Sequence, residues 1–303
     1  MVKTQSPSFT QLTSELRSQI DAALSVRAEL GGGCPTALRE AIRYSLLAPG
    51  KRLRPMLVLL AAEACGGSID RAMPAACAVE MVHAYSLVHD DLPAMDDDDL
   101  RRGLPTCHKK FGEAIAVLAG DALLAMALEV LAREIDPPEV AAACCAALAE
   151  AAGPCQMVGG QADDVQPPDT SPLSDTAGID LLESIHRRKT GALINVSLKL
   201  GALVAGADPQ KLAALDEYGR CLGLAFQITD DLLDVRSNSW AAGKRVGKDA
   251  RRGKLTFPGL LGIDRSTERA QRLVAEACET LEPLGPQADD LKTLARYVLE
   301  RNR

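Results

Sequence analysis

The sequence predicts an all-α protein, one large helical bundle with no second domain, and three observations predict it. Apolar residues recur at helical spacing from end to end of the chain. Aromatic residues make up only 3% of the 303 positions, while alanine and leucine crowd nearly every stretch. That bias starves β-sheet and suits helices packed closely through small side chains. Finally, the periodic runs are separated by glycine and proline punctuation, with no linker of altered composition and no short repeat. Hydrophobic residues at 47% and charged residues at 25% mark an ordinary globular chain with ample core.

Taken in order, helices are expected over 9–30, 35–47, 54–65, 71–91, 113–133, 138–152, 176–205, 209–235, 265–283 and 288–301. The first stops at Gly31-Gly32-Gly33, the second at Pro49-Gly50 and the third at Gly66-Gly67. Pro137-Pro138 starts the helix over 138–152, and Pro167-Pro168 and the glycine-rich stretch 243–253 mark later breaks. The runs 113–131 and 192–206 are apolar on most faces, which predicts burial on all sides at the centre of the bundle.

Lysine and arginine number 34 against 41 acids, a formal charge of −7, so a basic field for nucleic acid is excluded. The nine cysteines form no C-x-x-C pair and are odd in number, which favours buried reduced thiols over disulfides or a zinc site. The N-terminus lacks the apolar core of a signal peptide. No uncharged run reaches the ~18 residues of a membrane span, the best being broken by Glu63, Asp121 or Lys199. A reducing, cytoplasmic setting is the expectation.

The acidic charge is concentrated. His89-Asp90-Asp91-Leu92-Pro93-Ala94-Met95-Asp96-Asp97-Asp98-Asp99 closes one apolar helix, and Asp230-Asp231-Leu232-Leu233-Asp234 closes another. Asp230 and Asp234 stand four apart, which puts their carboxylates on one helix face about 5–6 Å apart at Cβ. Like charges so placed repel, and a cation would neutralise them. Oxygen-only donors point to Mg²⁺ or Mn²⁺ over zinc. Nearby stand Lys51, Arg52, Arg54, Arg101, Arg102, Lys189, Lys244 and Lys254. Divalent ions with fixed lysines and arginines are the usual surroundings of a diphosphate. Gly50-Lys51 does not complete a Walker loop, so the diphosphate is not that of a P-loop nucleotide.

These blocks, in this order, resemble the trans-isoprenyl diphosphate synthases (polyprenyl synthetases), and most closely their bacterial farnesyl members. The matching runs are GKRLRP at 50–55, EMVHAYSLVHDDLPAMDDDDLRRGLPTCHKKFGEA at 80–114, LAGDALL at 118–124, GGQADD at 159–164, IHRRKTGAL at 185–193, GLAFQITDDLLDV at 223–235 and GKRVGKDARRGKLTFP at 243–258. The resemblance covers about residues 35–300. It implies an isoprenoid-synthase helical bundle around a central substrate cavity, a homodimer, and up to three Mg²⁺ ions. Asp90, Asp91 and Asp96 match the first metal-binding motif, and Asp230, Asp231 and Asp234 the second. Lys51, Arg54, His83 and Arg102 match the positions that hold isopentenyl diphosphate. Arg101, Lys189, Thr190, Gln227, Lys244 and Lys254 match those that hold the allylic diphosphate.

The implied reaction is ionisation of the allylic C–O bond, attack by the isopentenyl double bond, and proton loss to the released diphosphate. Tyr85 lies five residues before Asp90, roughly 7.5 Å down the helix, and Ser86 four before. An aromatic there goes, in the family, with a C15 product, so farnesyl diphosphate is expected, with geranylgeranyl or geranyl diphosphate as the alternatives. Two departures stand out: Asp163 where the family usually has leucine, and Arg236-Ser237-Asn238-Ser239 after the second motif. A metal phosphohydrolase of the HD type, suggested by His83 and the dipeptide His89-Asp90, leaves the second acidic cluster and the arginine pair unexplained. A terpene cyclase has no need of the Lys51, Arg54, His83 set. A non-catalytic partner subunit would normally lack one aspartate motif, and both are present.

Overall fold

The computed structural model describes residues 9–166, 175–240 and 255–300, and within them the chain is helical. The helices are α1 (Phe9–Arg27), α2 (Thr36–Leu46), α3 (Leu53–Ala64), α4 (Ile69–Asp90), α5 (Cys107–Phe111), α6 (Glu113–Glu134), α7 (Pro138–Ala152), α8 (Met157–Val165), α9 (Asp175–His186), α10 (Ala192–Ala205), α11 (Pro209–Trp240), α12 (Phe257–Leu261), α13 (Ile263–Thr280) and α14 (Asp289–Glu300). A small antiparallel hairpin pairs β1 (Leu100–Arg101) with β2 (Leu104–Pro105). Arg187–Gly191 forms a π-helical turn, and Glu282–Ala288 a 3-10 stretch.

Helix α4 is the axis of the bundle. Ser68 caps its start by accepting the Arg71 N–H, and Asp70 in the first turn complements the helix dipole. Ala72, Ala75, Ala76 and Ala78 are fully buried along it, so α1, α2, α3, α6 and α10 can all pack against it. Helix α10 lies as closely on α3. A Cβ on Gly201 would stand 2.1 Å from the Val58 carbonyl oxygen, so only glycine fits that crossing. Further along, Tyr218 of α11 is buried and donates to the Leu291 carbonyl at 2.7 Å, tying α11 to α14.

Three sequence expectations are revised, the first being the helix expected over 209–235, which runs on past Asp234 to Trp240, so the second aspartate cluster lies within it and does not close it. The helix expected over 176–205 is interrupted by the π turn, which separates α9 from α10. Helix α10 is buried nearly all round as expected, but α6 is not. Ala116, Ala119, Leu123 and Ala127 are buried, whereas Val117 is 40% and Leu118 50% exposed. Leu118 is thus left uncovered among the described residues, while Val117 lines a cavity. Glu113–Glu134 and the stretch 138–165 are also long and apolar enough by composition to cross a membrane, a looser test than an uncharged run, with 39% of each window buried. Here α6 packs on α2, α4, α5 and α7.

Gly201→Ala should destabilise the fold by about 1–3 kcal/mol through overpacking at the α3–α10 crossing; chemical denaturation at unchanged slope would measure it.

Candidate active site

Two cavities meet at one wall. The first, about 620 Å³, is bounded by the end of α4, by α8 and by the π turn, with Tyr85, Asp90, Gln161, Lys189 and Thr190 on its surface. The second, about 810 Å³, carries Lys51, Arg102, Phe226 and Tyr297. Arg54 and His83 line both. One chamber is therefore acidic at its mouth and the other basic, and two side chains divide them.

The first aspartate motif begins on the last turn of α4 and folds back on itself. The Asp96 N–H donates to the Asp90 carbonyl at 2.9 Å and the Asp98 N–H to the Asp91 carbonyl at 3.3 Å. The residues between Asp90 and Asp96 thus close a loop that returns Asp96 to Asp90. The hairpin follows at once and presents Arg101 and Arg102. Asp91 is buried, and both its oxygens accept from Arg101: Nε lies 2.9 Å from each, and Nη2 is 2.7 Å from Oδ1. Burial pushes the Asp91 carboxyl up against the pull of Arg101. Burial also works against the Arg101 charge, but Asp91 holds that guanidinium above its ordinary pKa. Such a bidentate pair fixes the plane of the arginine.

Asp90 accepts from Gln161 Nε2 on α8 and lies 4.0 Å from Lys189 Nζ. Lys189 also donates to Asp164 at 2.7 Å, and Arg188 pairs with Asp163. The acid at 163 thus has a partner on the π turn. That turn sits close against α8: a Cβ on Gly160 would be 2.4 Å from the Lys189 nitrogen. π-Helical turns re-aim side chains within a helix and recur at functional sites. From here a chain of hydrogen bonds reaches α11. Thr190 Oγ1 donates to Gln227 Oε1 at 3.1 Å, and Gln227 Nε2 donates to Asp231 Oδ1 at 3.1 Å. The Phe257 N–H donates to Asp231 Oδ2 at 3.0 Å. Asp231, like Asp91, is buried and accepts with both oxygens. Asp230 and Asp234 are less buried, one turn apart on α11.

In the basic chamber, Arg54 Nη1 lies 3.4 Å from His83 Nε2. Arginine only donates, so that nitrogen accepts and the imidazole is neutral. Burial pushes the His83 pKa well down, and Arg54, Arg102, Arg101 and Arg52 push the same way. Arg102 donates to the Pro49 carbonyl, and its guanidinium crosses Gly50, where a Cβ would stand 2.5 Å from Nη1. Lys51 is exposed on the wall. Lys244 and Lys254 lie outside the described residues, as do the side chains of Arg236–Ser239.

Of the expected residues, ion pairs and hydrogen bonds join Asp90 to Lys189, Thr190 to Gln227 and Asp231, and Arg101 to Asp91, while Lys51, Arg54, His83 and Arg102 line the other chamber. Sequence reasoning gave no role to Gln161, Asp164, Arg52 or Glu80. The first two sit in GGQADD and the third in GKRLRP, so the only signal was polar residues inside glycine-rich or basic blocks. Asp97, Asp99 and His108 also bring ligand atoms within 4.8 Å of one another, with Asp99 paired to Lys109 at 2.8 Å. Asp90, Asp96, Asp230 and Asp234 offer oxygen donors beside fixed cations, a set that fits a hard divalent ion.

Acids at the end of α4 and within α11, with fixed cations and an apolar cavity nearby, fit the class of enzymes that act on metal-bound diphosphates. Comparison with known proteins specifies the family. The polyprenyl synthetase family model matches residues 35–294, and the chain belongs to that family. Farnesyl diphosphate synthase of Escherichia coli is 46% identical over 280 residues, 88% of this chain and 90% of that protein. Geranylgeranyl pyrophosphate synthase 11 of Arabidopsis thaliana, a chloroplastic protein, is 47% identical over 289 residues, 93% of this chain and 79% of the other. The apo crystal structure of a FPP/GFPP synthase from Zymomonas mobilis superposes with a TM-score of 0.84 at 37% identity, covering 96% of this chain and 98% of that one. The chain is a trans-prenyl synthase.

Gly160→Ala should displace the π turn and lower kcat/KM by at least about tenfold, since small misplacements of positioning groups are costly; steady-state kinetics measure it. His83 gives a pH prediction. Its folded pKa lies below the unfolded value of about 6.5, so below that pH the unfolded chain takes up a proton that the folded one refuses. Its stability contribution is present above about pH 6.5 and lost as pH falls. The denaturation midpoint should drop on acidification, and drop less in His83→Gln.

Proposed function

We propose that the chain condenses dimethylallyl and then geranyl diphosphate with isopentenyl diphosphate, head to tail, to release (2E,6E)-farnesyl diphosphate. The observation that carries the C15 product is the floor of the first chamber. Tyr85 is buried on α4 below Asp90, and His89 braces its ring edge-on, with centroids 5.7 Å apart at 76°. His89 Nε2 in turn donates to the Val117 carbonyl at 3.0 Å. Only glycine at 120 leaves room for that, since a Cβ would stand 2.1 Å from His89 Nε2. A tail growing down α4 therefore meets a ring that is held from behind. Ser86, beside it, donates to the His83 carbonyl at 2.8 Å.

In this reading Asp90 and Asp96 face Asp230 and Asp234 as ligands of up to three Mg²⁺ ions, which Mn²⁺ can replace. Those ions would supply charge neutralisation to the departing diphosphate. Asp91 and Asp231 serve by holding Arg101 and Gln227 in place. Arg101 and Lys189, with Lys244 and Lys254, bind the allylic diphosphate as charge builds on it. The oxygens of Thr190 and Gln227 face the allylic cation and offset it. Lys51, Arg54, His83 and Arg102 hold isopentenyl diphosphate across the shared wall, and the apolar cavity keeps water from the cation. The apolar residues of α6 left exposed among the described residues, Leu118 above all, favour a homodimer. Nine free thiols favour a reducing, cytoplasmic compartment, and the matched region favours a single polyprenyl synthetase domain over 1–303.

A geranylgeranyl product is the second reading, favoured by the name of the Arabidopsis relative. Incubating the purified chain with isopentenyl diphosphate, each allylic starter and Mg²⁺, then sizing the products, separates the two. C15 is expected, with elongation abolished by EDTA and by Asp90→Ala; a C20 product from the wild type selects the second reading. Tyr85→Ala should lengthen the product, and an unchanged C15 profile from that variant would sink the floor assignment. A homogeneous chain that elongates nothing would be a non-catalytic partner subunit.

A further inference from the structure

In the wall of the basic chamber lies a buried ion pair, Arg52 with Glu80, to which no diphosphate contact has been assigned above. Arg52 uses all three guanidinium nitrogens. Nε donates to Asp21 of α1 at 2.7 Å, Nη1 to Glu80 of α4 at 2.7 Å, and Nη2 to the Ala48 carbonyl at 2.9 Å. The Arg52 and Glu80 side chains are only 5% and 6% exposed. The backbone of Arg52 is left-handed, with φ 49° and ψ 35°, a conformation that costs a non-glycine residue about 1 kcal/mol or more. Its carbonyl already accepts the Met56 N–H at 3.1 Å, so it opens α3. Residues 51 and 54, on either side, thus leave from a strained joint that something must hold.

We infer that Arg52 and Glu80 are positioning residues for isopentenyl diphosphate, fixing the Ala48–Arg54 segment so that Lys51 and Arg54 converge on one diphosphate. The inference rests on the proposed role of Lys51, Arg54 and Arg102. The segment is clamped from two sides: Arg102 holds the Pro49 carbonyl from the hairpin, and Arg52 holds the Ala48 carbonyl from within. Glu80 is also a counter-charge facing Arg54 and Arg102. That second property has the opposite consequence for binding. If counter-charge were all, removing it would make the chamber more cationic and tighten a diphosphate.

Glu80→Gln separates the two. Positioning predicts that KM for isopentenyl diphosphate rises at least about tenfold while KM for the allylic substrate stays within about twofold. An unchanged or lower isopentenyl KM would overturn the inference, and so would an equal rise in both constants, which marks a general structural defect. Should Glu80→Gln fail to fold, Arg52→Lys keeps the charge but cannot fork to three acceptors, and Asp21→Ala removes one contact from an exposed helix face. Both should raise the isopentenyl KM selectively; if neither does, the inference falls. Wild-type protein that does not elongate at all would instead refute the proposed function, so the two failures are distinguishable.

Discussion

Carboxylates crowded at the end of α4 and along one stretch of α11 repel one another and lose hydration as the helices are buried. Much of the architecture meets that constraint. The second aspartate of each motif turns inward and is neutralised or satisfied by the protein itself, Asp91 by Arg101 and Asp231 by Gln227 and the Phe257 amide. The first aspartate of each stays less buried. Breaking the Asp91 pair would leave an uncompensated buried charge, which is far more damaging than the pair's net worth. The acidic clusters are thus met by the hairpin, through Arg101, and by the start of α12, through the Phe257 amide.

Close approach by glycine supplies the rest. Gly160 lets α8 touch the π turn, Gly50 lets Arg102 cross the basic loop, and Gly120 lets His89 reach the Val117 carbonyl. Each is a place where a methyl group would stand inside another residue. The small-residue composition is thus more than a helix preference: it sets distances between functional side chains that lie far apart in sequence.

Much of this was legible beforehand. Most helices were placed within a few residues, because their apolar spacing is long and their breaks carry glycine or proline. The aspartate clusters announced themselves by charge repulsion at fixed spacing. What was not legible has physical reasons. Met157–Val165 contains Gly159 and Gly160 and reads locally as a breaker, yet tertiary contact makes it a helix. The π turn adds a residue to a helical repeat without changing composition. The Arg52–Glu80 pair joins residues 28 positions apart, and no local pattern marks which arginine of a basic block turns inward. Helix α6 misled in the other direction, since an all-round apolar helix looks alike whether its partner is the same chain or another.

The wall shared by the two chambers has a consequence for successive rounds of elongation. In the proposed reaction the lengthened chain carries the diphosphate that arrived with isopentenyl diphosphate, and so finishes each round anchored in the basic chamber. To react again it must bring that head group to the aspartates. Arg54 and neutral His83 line both chambers, so in that reaction the head group would pass one fixed positive charge and one group that adds none. In the proposed reaction, the ease of passing that partition, set against the ease of leaving, would decide whether a C10 chain is carried forward or lost.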